Sequence, residues 1–376
     1  MVGAATALVF HRAGLDVALV ERGAAPPAFD RVAYDPRVYA VAPGSARFLE
    51  ALGVWPRIAR ERASPYGRME VWEQDPARAL TFDAAESGLP ELGFIVEDAL
   101  LRVALWSALS GAELITGARP ASLRLAPGRN RLELEDGRTL EAPLVVSAEG
   151  TESKLREWAG IEPLGWSYSQ LAIVCHAATA QPHGGTALQR FLPTGPLAFL
   201  PLADGRSSIV WSADIAEAES LLVLDDRAFR RRLGEGIERR FGDIGAVTPR
   251  LSFPLRLQQA REYVRAGLAL VGDSAHVIHP LAGQGVNLGL ADAEALAEIV
   301  LEARAQRRDP SSLRALKRYE RRRKADVVEM SALTDGLQRL FAAKAPLAGA
   351  LRRAGMGWVD RAGPIKRRLA ERAMGL

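Results

Sequence analysis

The order of hydrophobic and polar positions predicts helices alternating with short strands in the first part of the chain. Residues 2–13 have apolar positions at helical spacing and are followed by Gly14, which favours a helix that ends there. Residues 16–21 are mostly apolar and close with an acid, which predicts a buried parallel strand. The Pro-, Ala- and Asp-rich residues 23–36 predict a loop. Two more helices are predicted, over residues 43–53 and 97–110.

The middle of the chain has the shorter alternation typical of strands. Residues 68–82 predict a hairpin that turns at Asp75-Pro76, and residues 112–146 predict several strands with a turn at Asp136-Gly137. Residues 170–254 predict strands and turns with one helix near 225–241. The remaining predicted elements are buried strands at 144–148 and 268–271, and helices from 285 that break at Asp309-Pro310, Pro346 and Pro364.

Composition is that of a globular protein. The chain has 376 residues, 48% of them hydrophobic and 25% charged, which suits one large domain or two interleaved domains with a sizeable core. The single cysteine, Cys175, excludes an internal disulfide and fits a reducing compartment. No stretch is apolar enough to predict a transmembrane helix, and the first residues lack the basic start of a signal peptide.

Charge is distributed unevenly. From residue 301 onward there are 19 Lys and Arg against 8 Asp and Glu, whereas the rest of the chain has more acids than bases. For any single basic cluster, a solvated helix face is the better interpretation. The alternative is attraction to an anionic membrane surface or an acidic partner. No recognised nucleic-acid module accompanies the charge, so nucleic acid is not expected as a partner.

The N-terminal helix and strand form half of a dinucleotide-binding unit. In the complete unit, glycines open a helix whose N-terminus holds a pyrophosphate, and an acid at the end of the next strand binds a ribose. Here Gly3 opens the helix, and Glu21 ends the following strand 18 residues later. The preceding strand and the first two glycines are absent from the chain. An ordinary surface helix and strand is the alternative interpretation.

The stretch GDSAHVIHPLAGQGVNLG, which starts at residue 272, carries more information. Asp273 follows an apolar strand at its carboxyl end, where α/β sheets bind ligands, and a carboxylate there can accept hydrogen bonds from ribityl or ribose hydroxyls. Gly283, Gly285 and Gly289 allow the backbone to approach a flat ring. The following helix directs its positive end at that ring, which favours the negative edge of a reduced flavin. A capped helix after a Gly-rich loop is the alternative.

This stretch resembles the second FAD-binding motif of the class A flavoprotein aromatic hydroxylases, the para-hydroxybenzoate hydroxylase-like group. A second motif of that group is similar to residues 148–156, AEGTESKLR, with Glu149 where Asp is usual. Glu149 keeps the carboxylate but reaches one methylene further. Within the group, the chain is most similar to the ubiquinone-biosynthesis hydroxylases. That similarity is carried by the segments RVYAV (37–41), LGVW (52–55), MEVW (69–72), IVE (95–97), FLPL (199–202), IVWS (209–212) and RYER (318–321).

The resemblance implies an α/β fold: a para-hydroxybenzoate hydroxylase-like, Rossmann-type FAD-binding domain with an interleaved β-rich substrate domain and C-terminal helices. The implied boundaries follow. The FAD-binding domain is discontinuous and takes residues 1–66, 84–165 and 255–308, the substrate domain takes 67–83 and 166–254, and the basic C-terminal helical region takes 309–376.

The resemblance also implies a mechanism and site residues. Reduced FAD and O2 form a C4a-hydroperoxide, which hydroxylates the ring of a polyprenylated phenol. NAD(P)H or another donor supplies electrons; because no second dinucleotide fingerprint is present, the donor binds transiently in the cleft or is a partner protein. His276 and His279 are candidates for proton handling, with hydrogen-bonded loop histidines at least as good an interpretation. No metal is expected. The implied cofactor-binding residues are Gly3, Glu21, Arg37, Arg102, Asp273, Pro280, Gly283, Gly285, Val286 and Asn287.

Further expectations concern the start of the chain, the location of the protein in the cell, the role of Glu97 and the alternative functions. Family members begin with a strand and three glycines, so we expect that Met1 is internal to that unit and that FAD affinity is poor. The expected location is cytoplasmic, with peripheral contact to the inner face of the membrane or a biosynthetic complex through the basic C-terminal region. Glu97 is interpreted as a helix N-terminal acid or, second, a polar contact near the flavin. Another flavin oxidoreductase on an isoprenoid or aromatic substrate, or an inactive truncated scaffold, are the alternative functions.

Overall fold

A computed structural model gives the fold and describes residues 1–278 and 285–342. Its helices and strands follow one another along the chain as a mixed α/β arrangement. The helices are α1 (Val2–Arg12), α2 (Pro43–Ala51), α3 (Trp55–Arg62), α4 (Asp98–Ala108), α5 (Lys154–Trp158), α6 (Ile215–Val223), α7 (Asp226–Gly236), α8 (Gly285–Ala305) and α9 (Leu313–Ala342).

The strands are short except in the centre of the chain. They are β1 (Ala18–Glu21), β2 (Val38–Val41), β3 (Ser64–Tyr66), β4 (Arg68–Trp72), β5 (Leu80–Asp83), β6 (Gly93–Glu97), β7 (Glu113–Thr116), β8 (Pro120–Arg124), β9 (Asn130–Leu134), β10 (Thr139–Ala142), β11 (Val145–Ser147), β12 (Pro163–Thr179), β13 (Thr186–Leu192), β14 (Gly195–Pro201), β15 (Ser207–Asp214), β16 (Ile244–Val247), β17 (Leu251–Ala260), β18 (Val264–Arg265), β19 (Leu268–Leu270) and β20 (His276–Val277).

A nine-stranded sheet dominates the β-rich part. Its order is β20-β17-β12-β15-β14-β13-β4-β5, and β16 pairs with β12. The predicted hairpin is confirmed as β4 and β5, which are antiparallel, and β4 lies parallel to β13, so the hairpin extends the large sheet. One face of this sheet packs on α6 and α7 around Trp211, Phe199 and Phe229, each at most 2% exposed. Each such side chain stabilises the fold by roughly 1.5–3 kcal/mol.

The predicted helix near 225–241 is present as α7, but the sequence prediction missed α6. Residues 215–223 lie in the segment for which we predicted only strands and turns outside that helix. The apolar end of α6 explains the error, since Leu221, Leu222 and Val223 form a run that suits a strand equally well. Only Ala218 and Leu221 of this helix are buried, so its helical periodicity is weak.

Four small sheets and the remaining helices form the rest of the molecule. They are the parallel pair β1-β7, the antiparallel sheets β10-β9-β8 and β2-β6-β3, and β11-β19-β18, in which β11 and β19 are parallel. Helices α1, α2, α3, α4 and α8 share one core, and a second core lies around β19, α8 and α9. None of the helices in the described ranges combines the length and the apolar composition needed to cross a bilayer.

The fold class is as expected from the sequence. The strands of the predicted substrate segments join the large sheet, although β12 starts at Pro163 and β17 runs to Ala260, slightly outside them. The exact domain boundaries stay a prediction.

Candidate cofactor site

A cavity of about 1550 Å³ lies between strands β1 and β11, which belong to two different small sheets. This volume exceeds the roughly 300–1,000 Å³ of common ligand pockets. Among the described residues, β1 pairs only with β7 and β11 only with β19, and residues of both β1 and β11 line the cavity. We predicted that β1 and β11 are buried strands. The strands are present, but the prediction of full burial was wrong: both are only partly buried, because the cavity lies beside them where another part of the protein would cover them.

Three predicted cofactor residues, Gly3, Glu21 and Arg102, line this cavity. Glu21 stands at the carboxyl end of β1, and its Oε1 accepts a hydrogen bond from the Gly23 N–H at 2.9 Å. Helix α1 starts beside it without a side-chain cap, so its first N–H groups are available to an anion. Gly3 has a packing role as well, because a Cβ there would lie 3.0 Å from the Ala148 Cβ.

A polar cluster surrounds the start of α1 and the start of α4. The Tyr39 hydroxyl donates to Asp98 Oδ1 at 3.3 Å, and Arg102 lies 3.6 Å from the other carboxylate oxygen of Asp98. Burial, and next the charge of Asp98, raise the pKa of Tyr39. The charges of Arg37 and Asp273 also act on this tyrosine, so the cluster connects the cavity to the turn at Asp273. Two helix N-termini and two arginines make this junction favourable for an anionic group such as a pyrophosphate.

Sequence reasoning missed Tyr39 and Asp98. A signal for the tyrosine was present: Arg37 and Tyr39 are two positions apart at an extended segment, and such residues share a face. The Arg37 guanidinium itself is exposed and lies 5.0 Å from the centre of the Phe253 ring on β17. Arg37 therefore lies between the polar cluster around Tyr39 and the large sheet.

The turn at Asp273 is supported by the motif at residues 148–156. Arg156 donates from Nη1 to the Ser274 carbonyl at 2.9 Å, and the Ser274 hydroxyl donates to the Ser147 carbonyl at 2.6 Å. The Glu149 carboxylate accepts hydrogen bonds from the Ser153 hydroxyl at 2.6 Å and the Leu155 N–H at 2.9 Å. The longer Glu149 thus keeps a structural role at the start of α5.

Asp273 is the outward-facing residue of this turn. Its side chain is exposed, while the neighbouring Gly272 and Ser274 are buried. The surrounding protein partly desolvates the carboxyl group and so raises its pKa, although the charges of His276 and Arg37 oppose that shift. The geometry presents one acceptor at the carboxyl end of β19, as the ribityl role requires.

The start of α8 holds the remaining predicted residues. Gly285 is exposed, and Val286 is 6% exposed within the core shared with α1. The Asn287 amide donates to the Ala40 carbonyl at 2.8 Å and accepts from the Ala42 N–H at 2.9 Å. Asn287 therefore ties α8 to the end of β2. His279, Pro280 and Gly283 lie outside the described residues.

His276 is buried away from solvent. It is 3% exposed, and its Nε2 lies 2.6 Å from Asp292 Oδ2. This arrangement favours the alternative of a hydrogen-bonded structural histidine over proton handling at the flavin.

Glu97 stands at the N-terminus of α4, as the first of its two interpretations expected. Its backbone precedes α4, but its carboxylate does not cap that helix. It accepts from Arg62 Nε at 2.7 Å and from the Asp35 N–H at 2.7 Å. Instead, Asp35 accepts from the Ala99 N–H at 3.1 Å and so satisfies the first turn of α4. Glu97 and Arg62 together fix the loop that leads to Arg37.

Comparison with known proteins assigns the chain. Residues 1–332 match the FAD binding domain family. The 3-demethoxyubiquinol 3-hydroxylase of Escherichia coli is 38% identical over 100% of this chain and 96% of its own length, and the ubiquinone hydroxylase UbiL of Rhodospirillum rubrum is also 38% identical, over 100% and 87%. The chain belongs to the family of FAD-dependent ubiquinone-biosynthesis hydroxylases.

The fold agrees with this family. The crystal structure of p-nitrophenol 4-monooxygenase PnpA from Pseudomonas putida superposes with a TM-score of 0.77 at 20% identity, covering 99% of this chain and 95% of that one. The residues around the cavity and the Asp273 turn also fit FAD. Glu21 lines the cavity with a carboxylate of the kind a ribose needs, the uncapped start of α1 suits a pyrophosphate, and the exposed Asp273 offers a second carboxylate.

Proposed function

We propose that this protein is an FAD-dependent monooxygenase that hydroxylates the aromatic ring of a polyprenylated phenol in ubiquinone biosynthesis. The observation that carries the proposal is the placement of Glu21 and Asp273 at the carboxyl ends of two strands, both near enough to the N-terminus of α1 for their charges to act on it. The names of the two bacterial relatives supply the substrate class and the reaction. When bound and reduced by a nicotinamide, FAD would supply the chemistry that activates O2, so that one oxygen atom enters the ring and the other leaves as water.

The chain's own residues would bind and orient the cofactor. We assign the adenosine ribose to Glu21, the pyrophosphate to the start of α1 with Arg102, and the ribityl side to Asp273 with Arg37. The flavin ring would lie against the start of α8 and contact Gly285, Val286 and Asn287. We also assign to this ring Pro280 and Gly283, which precede α8 in the sequence. Protein walls around the ring exclude water, which protects a reactive oxygen species from wasteful breakdown.

Oxygen consumption tests this proposal. The purified chain is incubated with FAD, with NADH or NADPH, and with a phenol that bears a short prenyl tail. We expect the phenol to stimulate oxygen uptake and a product that is heavier by one oxygen atom. Asp273→Ala should abolish the stimulation by weakening FAD binding, whereas Asp136→Ala, an exposed turn residue, should leave it intact. Reductant oxidation without phenol-dependent oxygen uptake would instead favour a different flavin oxidoreductase, and absence of flavin binding would favour a scaffold.

We also propose that the basic C-terminal region brings the enzyme to the inner face of the membrane or to a biosynthetic complex, where its prenylated substrate resides. The excess of bases from residue 301 onward supports this. On α9, however, Lys317, Arg318 and Arg322 form ion pairs with glutamates of the same chain, so they contribute less than their number suggests. The cluster at Lys366, Arg367 and Arg368 lies outside the described residues.

Flotation with anionic liposomes tests the membrane contact. We expect binding at low salt that weakens as salt screens the charges, and that falls when Lys366, Arg367 and Arg368 are replaced by Gln. No binding in low salt would refute the contact.

A further inference from the structure

A buried carboxylate on α8 joins three parts of the molecule. Asp292 is 0% exposed. Its Oδ2 accepts from the Gly272 N–H at 2.9 Å and lies 2.6 Å from His276 Nε2, and its Oδ1 accepts from Arg323 Nε at 2.7 Å. Burial penalises the charge of Asp292, but His276 and Arg323 outweigh that penalty and lower its pKa. We name these three side chains the Asp292 clasp.

The clasp holds the cofactor-facing turn from both of its ends. Gly272 precedes Asp273 and His276 follows it three residues later, and both are bound by the same oxygen of Asp292. Gly272 has a φ of +60°, which a side chain would strain. Since the flanking residues are fixed and buried, the side chain of Asp273 is left exposed and directed outward.

Close backbone packing supports the same geometry. Gly289 lies one helical turn before Asp292, and a Cβ there would come within 2.6 Å of Val2 Cγ2 and 3.4 Å of the Gly272 Cα. The start of α1, the turn and α8 are therefore in direct contact. A shift of the turn would disturb the start of α1, where the pyrophosphate is assigned.

Arg323 brings α9 into this arrangement. The guanidinium is 4% exposed, and it also donates to the Leu288 carbonyl at 3.2 Å and to Asp326 at 2.7 Å. Because Arg323 reaches the same carboxylate as Gly272, it couples the position of α9 to the turn, beside the Tyr319 hydroxyl of α9, which donates to the Leu270 carbonyl at 2.7 Å.

We propose that His276 and Arg323, acting through Asp292, are positioning residues that set the turn presenting Asp273 to the cofactor and couple α9 to that turn. This inference rests on the proposed FAD binding. None of the three side chains needs to touch the cofactor. Loss of such a supporting partner commonly weakens a site about 10- to 100-fold, as known for metal ligands, and we expect a loss of FAD affinity of that order.

The test compares FAD affinity among folded variants. His276→Phe keeps a ring but removes the bond to Asp292, Arg323→Met keeps the aliphatic stem, and His276→Gln restores an N–H donor. Trp72→Phe is the matched control, since it keeps a ring on β4 of the large sheet but removes a partly buried hydrogen bond, to Glu238. We expect His276→Phe and Arg323→Met to raise the FAD dissociation constant about 10- to 100-fold, and the other two variants to stay within about threefold of the parent. Equal affinity in all variants, or an equal loss in Trp72→Phe, would overturn the proposal.

Hydrogen exchange separates this proposal from FAD binding itself. The Gly272 amide donates to Asp292, so its exchange in the chain without FAD should accelerate at least about tenfold in His276→Phe and Arg323→Met, but not in Trp72→Phe. If the parent chain binds no FAD, the proposed function is refuted. The hydrogen-exchange measurement would then still test whether the Asp292 clasp holds the turn. Unchanged exchange of residues 271–276 in both variants would overturn it in either case.

Discussion

Replacing Arg62 with Met should destabilise the protein strongly. Arg62 donates to both oxygens of Glu97, at 2.7 and 3.0 Å, and to three backbone carbonyls of the loop before β2. Its guanidinium also lies 3.8 Å from the centre of the Tyr34 ring. The side chains of Arg62 and Glu97 are only 9% and 2% exposed, so the variant would leave Glu97 as a buried charge.

The expected loss follows from that burial. Removing one partner of a buried ion pair costs roughly 3–5 kcal/mol. We expect the lower end, about 3 kcal/mol, for two reasons. The Asp35 N–H still binds the carboxylate of Glu97, and the methionine stem still covers the Tyr34 ring. Water can satisfy the loop carbonyls, so they add little.

Urea unfolding followed by tryptophan fluorescence at neutral pH measures this loss. Arg31→Met is the matched control, because Arg31 belongs to the same loop and pairs with Glu61, but its side chain is 75% exposed. That control should unfold like the parent. A loss for Arg62→Met no larger than for Arg31→Met would refute the claim that the buried pair fixes the loop.

The same variant should respond to pH. Burial raises the pKa of Glu97, and its hydrogen bonds to Asp35 and Arg62 oppose that rise. Without Arg62, the pKa of Glu97 should rise further. A carboxyl group with a raised pKa in the folded state favours folding at low pH and loses that contribution as the pH rises through its folded pKa. The stability gap between parent and variant should therefore narrow on acidification and widen towards neutral pH, and Glu97→Gln in the Arg62→Met background should recover stability at neutral pH.

Three further outcomes are expected. Burial raises the pKa of the Cys175 thiol to about 12, so a thiol reagent at pH 8 should label the chain only after unfolding; rapid labelling of the native chain would contradict the burial. Gly165→Ala should disrupt the pairing of β12 with β17, because its Cβ would lie 2.0 Å from the Leu257 carbonyl oxygen. Gly137→Ala, with open space around it, should cost only about 1–2 kcal/mol of strain. An equal loss of unfolding free energy in the two variants, measured in urea, would contradict the close approach of β12 and β17 at Gly165. Asn287→Ala should lower the free energy of unfolding by roughly 1–3 kcal/mol, since it removes the amide bonds to the buried Ala40 carbonyl and Ala42 N–H, and an unchanged urea midpoint would contradict that.

The elements with strong local signals were predictable from the sequence. Gly14 and Gly53 end or follow helices with positive φ, at +73° and +61°, as their positions after apolar periodic segments indicated. The Asp75-Pro76 turn and the strand before Asp273 were also recognisable, because turn chemistry and apolar runs act over a few residues. The cofactor-binding role of the motif at residue 272 rests on the family resemblance and stays a prediction.

The supporting contacts of the site were not predictable in this way. Arg62 and Glu97 are 35 residues apart, and Asp292 and Arg323 are 31 apart on two helices. Periodicity predicts which face of a helix is buried, but it does not predict which buried charges meet across elements. Glu97 illustrates the limit, because its position at the start of α4 was predictable whereas the pairing of its carboxylate with Arg62 was not. The partial exposure of β1 likewise depends on what lies beside it and not on its own residues.

Isotope labelling tests the central claim most directly. The protein is supplied with FAD, a reduced nicotinamide and a short-tailed prenylated phenol under oxygen-18 gas, and the product is examined by mass spectrometry. The account predicts a ring-hydroxylated product that carries one labelled oxygen atom, and predicts none with Asp273→Ala. A product without the label, or a product from the parent chain that forms equally well without FAD, would contradict it.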